Sequence, residues 1–113
     1  MKHRIKASFY LIIIMTLSSL IFAHPASEVN LSTKGSILTI SFKHPAKDLS
    51  KHFIKTISVK KNKRLIIEQS LSMQEKNIQV LRYTIPSLKS GDIISVESVC
   101  NIFGKKTKSI VIK

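Results

Sequence analysis

The sequence predicts an all-β protein: an immunoglobulin-like antiparallel β-sandwich of about seven strands, preceded by an N-terminal signal peptide. Three observations carry that expectation. Apolar and polar residues alternate over several short runs, as Leu38, Ile40 and Phe42 do against Thr39 and Ser41, the period of a strand buried on one face. Turn-forming Gly, Pro and Asn residues separate those runs at regular spacing, as in a small sandwich. No stretch carries a convincing helical period, and no internal repeat is present.

The first element is the leader, residues 1–23. It opens on the basic run Met1-Lys-His-Arg-Ile-Lys6, and Phe9 to Phe22 then contains neither charge nor proline. That apolar run is shorter than the ~20 residues a membrane-spanning helix needs. Ala23, with Ile21 two positions before it, forms an acceptable small-residue cleavage pattern. We therefore expect a periplasmic or secreted protein with no stable membrane insertion after cleavage, and a single domain over residues 24–113.

Within that domain, Val29-Asn-Leu31-Ser-Thr33 alternates and Lys34-Gly35 turns. Ser36 to Lys43 is the next strand, whose inward parity His44 continues before Pro45 ends the ladder; proline has no N–H to donate. A loop from Ala46 to Lys51 leads into a strand expected to bury Phe53, Ile57 and Val59, with Lys55 as an exception to the pattern. Asn62 marks a hairpin tip, and Leu65 to Gln69 returns from it. Ser70 to Asn77 is polar apart from Leu71 and Met73. Ile78 to Ile85 alternates again, setting Gln79, Leu81, Tyr83 and Ile85 against Ile78, Val80, Arg82 and Thr84, and Pro86 closes it. After the turn around Gly91, the residues Ile94, Val96, Ser98 and Cys100 share one face. Asn101 to Gly104 forms a corner, and Ser109 to Lys113 supplies a last strand.

Charge narrows the partners. The chain carries +13 formally. Only Lys2, Arg4 and Lys6 of its basic residues fall in the leader and all six acidic ones lie beyond it, so residues 24–113 hold about +10. The lysines are scattered and alternate with apolar residues, as on a solvated sheet face. There is no arginine cluster and no aromatic interleaving, so no nucleic-acid partner is expected. Small anions or an anionic membrane surface fit the charge better. The charge does not identify a protein partner. Paired carboxylates, a glycine-rich phosphate loop and a Ser-His-Asp arrangement are all missing.

The chemistry-bearing residues are few. Exported small domains commonly rely on disulfides, yet Cys100 is the only cysteine. It is a buried thiol, half of an intermolecular bridge, or a metal ligand. His44 sits at a strand end, His52 at the start of the next strand and Cys100 at the end of a late strand. In a sandwich such ends gather at one rim. A thiolate with imidazoles suits iron, copper or zinc rather than magnesium or calcium. The alternative is a packed His44, an exposed His52 and a Cys100 that acts as a small core hydrophobe. His24 adds a further donor: cleavage after Ala23 makes it the mature N-terminus, whose α-amine and imidazole can chelate copper together.

The segments HPAKDLSKHFIKTISV (44–59) and VCNIFG (99–104) resemble the iron-binding domain of the desulfoferrodoxin and neelaredoxin family, the superoxide reductases. Members carry a His-Pro…His-(aromatic)-Ile segment and a Cys-Asn-x-His-Gly segment on a seven-stranded immunoglobulin-like sandwich. The resemblance implies a mononuclear non-haem iron centre with equatorial histidines, an axial thiolate and an open position where superoxide is reduced. Carried over, His44 and His52 match equatorial ligands and Cys100 the axial thiolate. Phe103 stands where the family has a fourth histidine, the Glu-Lys-His segment is absent, and the His44–His52 loop is longer than usual. His24-Pro25 is the available replacement for the missing histidine. The resemblance therefore implies a degenerate site of superoxide reductase type, its redox activity on superoxide reduced or lost.

The run from His44 to Ser70, followed by SLKSGDIISV (87–96), is also similar to the small β-sandwich subunit of the periplasmic sulfur-oxidation carrier complex. That likeness implies a metal-free binding module. Cys100-Asn-Ile-Phe-Gly104 fits the first family better.

Overall fold

The structure, a computed structural model, describes residues 24–113. The expected leader, 1–23, lies outside the described residues. Seven strands follow one another: β1 (Glu28–Lys34), β2 (Ile37–Lys43), β3 (Ile54–Lys61), β4 (Arg64–Ser70), β5 (Ile78–Thr84), β6 (Ile93–Cys100) and β7 (Lys105–Val111). They form a three-stranded sheet in the order β1-β2-β5 and a four-stranded sheet in the order β4-β3-β6-β7. All pairings are antiparallel. The two sheets pack face to face as an immunoglobulin-like sandwich. Among the described residues no helix is long and apolar enough to cross a membrane.

The core follows from the alternation. Leu38, Ile40 and Phe42 of β2 meet Ile57 and Val59 of β3 and Ile94 and Val96 of β6, all essentially inaccessible to solvent. Full burial of such a side chain stabilises by roughly 1.5–3 kcal/mol. β5 turns Leu81 and Tyr83 toward this core and leaves Ile78 and Val80 exposed, a choice of face that its alternation alone leaves open. The β3–β4 hairpin turns on Asn62 and Lys63, both with positive φ (51° and 71°), the geometry of a two-residue type I′ turn.

Two expectations change. Phe53 was expected on the buried face of β3, but it is only half-buried and Ile54 is fully buried instead. The register with β6 shifts between Ile54 and Thr56, so that Ile54 opposes Cys100 and Thr56 opposes Val99. Lys55 is the extra residue of a bulge. The bulge resets the parity of the strand, which accounts for Lys55 breaking the alternation. The last strand also begins earlier than Ser109, at Lys105, and pairs with β6 along Val99 to Ile93. Its Lys105, Lys106 and Lys108 carry no apolar signal because the strand lies at a sheet edge, where lysine discourages further pairing.

Register fixes which strand ends share a rim. Glu28 opposes Lys43, so the start of β1 lies beside the end of β2. Ile54 opposes Cys100, so the start of β3 lies beside the end of β6.

Candidate metal centre

Each candidate residue flanks one of those four strand ends. His44 extends the inward parity of β2 and is fully buried; its N–H is bonded to the Asn77 carbonyl at 2.8 Å. His52 ends a tight loop in which Lys51 and His52 donate their N–H groups to the Asp48 carbonyl (3.1 and 2.9 Å). The Asp48 carboxylate accepts from the Ser50 hydroxyl and N–H, which holds it below the usual carboxylate range. Cys100 closes the inward row of β6, is 3% exposed and forms no disulfide. His24 reaches the rim because Ser27 donates its N–H to Lys43 and Pro25 lies against Gly104. A Cβ at Gly104 would come within 2.8 Å of the Pro25 ring.

These residues converge. One ligand nitrogen from each of His24, His44 and His52 lies within 4.8 Å of the other two. Ring centroids are separated by 5.1 Å (His24–His44), 5.0 Å (His24–His52) and 4.7 Å (His44–His52). Cys100 joins through His52, whose Nε2 is 3.2 Å from Sγ. Nitrogen and sulfur bound to one ion at about 2.0 and 2.3 Å, at right to tetrahedral angles, stand about 3.1–3.5 Å apart. The His52–Cys100 pair is at that separation already. The three imidazoles need adjustments on the order of 1 Å to reach the ~3 Å spacing of neighbouring ligands. Three His residues are thus close enough to hold a metal, and the donor set fits a borderline to soft transition ion.

Electrostatics favour the neutral, ligand-ready imidazole. Burial pushes His44 below its ordinary pKa, opposed by its contacts to the Gln74 side chain and the His24 carbonyl. His52 is lowered as well, by desolvation first and then by the neighbouring His44 and His24. Lys43, Lys47 and Lys51 are exposed around the same loop.

Phe103 is 60% exposed and has no atom able to ligate. The corner that carries it is nevertheless built around the site. Asn101 accepts the Phe53 N–H at Oδ1 and donates from Nδ2 to the Lys51 carbonyl, both at 2.9 Å, and so grips the chain on both sides of His52. The Ile102 N–H points at the Cys100 sulfur (3.5 Å). Sequence reasoning gave neither Asn101 nor Gln74 a role. Gln74, 1% exposed, is bonded to His44 at Nδ1 (2.7 Å), and a lone glutamine in a polar stretch carries no signal of burial. Compared with known proteins, the sequence matches no protein-family model and no curated protein.

Proposed function

We propose that the protein is an exported mononuclear iron-binding domain of superoxide reductase type, with His24, His44, His52 and Cys100 as the donor set. The observation that carries this reading is the grouping of three imidazole donors at one rim, with a thiol 3.2 Å from one of them. A ferrous ion there would supply the one electron that, with two protons, takes superoxide to hydrogen peroxide. The chain's own part is to bind and to shield. Neutral imidazoles and a thiolate hold the ion. The exposed lysines near His44 and His52 raise the local concentration of a small anion. Three histidines rather than four leave a further open position and a more exchangeable ion, so turnover is expected to be reduced or lost.

Anaerobic reconstitution of the full chain with ferrous iron tests the reading. Oxidation should produce a thiolate-to-iron charge-transfer band that Cys100→Ser lacks. An oxidised, iron-loaded protein whose spectrum is unchanged by that substitution would reject a sulfur-ligated centre.

A second reading, copper held through His24, is favoured by the seating of that residue on Gly104 and beside both other histidines. It requires a free α-amine at His24. One extra residue placed ahead of His24 in the processed protein should then abolish copper binding, whereas imidazole ligation alone survives it. Zinc suits the same donors. A metal-free binding module predicts instead that no ion is retained by the protein as exported.

A further inference from the structure

Gln74 lies in the polar segment between β4 and β5, far in sequence from every donor, yet it is buried against the cluster. Its carboxamide makes four hydrogen bonds. Nε2 donates to the carbonyls of His44 (3.0 Å) and Lys76 (3.1 Å). Oε1 accepts the backbone N–H of Ile54 (2.8 Å) and faces Nδ1 of His44 (2.7 Å). Three of these four partners are main-chain groups whose roles cannot change: an N–H only donates and a carbonyl only accepts. Rotating the amide by 180° would set NH₂ against N–H and oxygen against two carbonyls. The orientation of Gln74 is therefore fixed by backbone.

A fixed acceptor facing Nδ1 has a consequence for the imidazole. A neutral histidine has one N–H and one bare nitrogen, and the partner of one nitrogen decides the state of the other. We infer that Gln74 is a positioning residue for the metal centre: it locks His44 in the Nδ1–H tautomer and leaves Nε2 as the ligand atom. The other ring nitrogen also faces an acceptor, and of the two contacts the one to Gln74 is the shorter. His44 Nε2 is 3.2 Å from the main-chain oxygen of His24. With Nδ1 protonated, these are two lone pairs facing one another, a pairing that a cation between or beside them relieves. Ligand histidines generally donate their second nitrogen to an oxygen acceptor, which fixes ring orientation and raises ligand basicity. Here the acceptor is a side-chain amide, itself held by β3 and by the chain either side of the site.

This inference rests on the metal reading of the cluster, but its first test does not need a metal. Nitrogen-15 NMR of the metal-free full chain at neutral pH should show His44 with a protonated Nδ1 and a bare Nε2. A protonated Nε2, or rapid averaging of the two tautomers, would overturn it. The second test uses zinc(II) as a redox-silent probe. Gln74→Leu should lose the fixed tautomer and weaken zinc binding about 10–100-fold. Gln74→Glu, protonated on the oxygen that faces the His44 and Lys76 carbonyls, keeps an acceptor for both Ile54 and His44, and should restore the tautomer and most of the affinity. A folded Gln74→Leu protein with wild-type zinc affinity would overturn the positioning role. If Gln74→Leu does not fold, the wild-type tautomer and the Gln74→Glu protein decide. If the wild-type chain takes up no zinc, iron or copper, the metal reading falls, and the tautomer spectrum still rules for or against Gln74.

Discussion

Burial of the His44 imidazole sets how the fold responds to acid. Loss of solvent lowers its pKa from the ordinary 6.5, and the contacts to Gln74 and His24 only partly offset this. The unfolded chain therefore takes up a proton near pH 6.5 that the folded chain accepts only at lower pH. Stability is complete above pH 6.5 and is lost as pH falls from there toward the lowered value. His52 is shifted in the same direction, whereas the lowered Asp48 and Asp92 act only near and below their ordinary 3.8. The urea midpoint of the metal-free protein should drop between about pH 7.5 and about pH 5, and His44→Phe should flatten that slope. At Gly104 the test is steric. Its φ is +94° and an added Cβ would strike Pro25, whereas Gly35, at φ +59°, has nothing within 4 Å. Gly104→Ala should displace His24 and weaken metal binding by about tenfold or more. Gly35→Ala should cost only the local strain, about 1 kcal/mol, and leave binding unchanged in the same titration.

The strands differ in how plainly they could be read, and for physical reasons. β2 and β6 alternate without interruption, so the inward placement of Phe42 and Cys100, and the direction of His44, follow from parity alone, whereas β5 alternates with apolar residues on both faces and leaves the inward one open. β3 does not. Its extra residue, Lys55, resets the alternation, and a bulge has no fixed signature among ordinary side chains. The difference is measurable: Ile54→Ala should cost about 2–5 kcal/mol in urea unfolding, and Phe53→Ala distinctly less, because its side chain is only partly buried. Gln74 was hidden for another reason. What buries it is a set of backbone groups on β3 and beside His44 that only the folded chain brings within reach. Asn101 stood inside a recognisable Cys-Asn motif, but its grip on Lys51 and Phe53 depends on register across β3 and β6. His44 was legible because a polar, ligand-capable residue at a strand end has few other reasons to keep the inward parity, whereas His52 was picked out by its place at the start of the next strand and His24 by the expected cleavage after Ala23.

At the scale of the whole molecule, the donors come from both sheets. His24 and His44 flank β1 and β2 of one sheet, and His52 and Cys100 flank β3 and β6 of the other. Their convergence needs the sandwich to be closed at that rim, and the Pro25–Gly104 contact does the closing, bringing the segment before β1 onto the corner between β6 and β7. An ion bound there would tie the two sheets together at that rim. The basic surface is distributed more widely, over β3, β4 and β7, and serves the site only through the lysines beside its loop. The most direct measurement is X-ray absorption at the metal edge of the full chain loaded with one equivalent of zinc(II). Convergence of the four donors predicts one sulfur at about 2.3 Å and three imidazole nitrogens at about 2.0–2.1 Å. A first shell of nitrogen and oxygen alone, without sulfur and with fewer than two imidazoles, would contradict it.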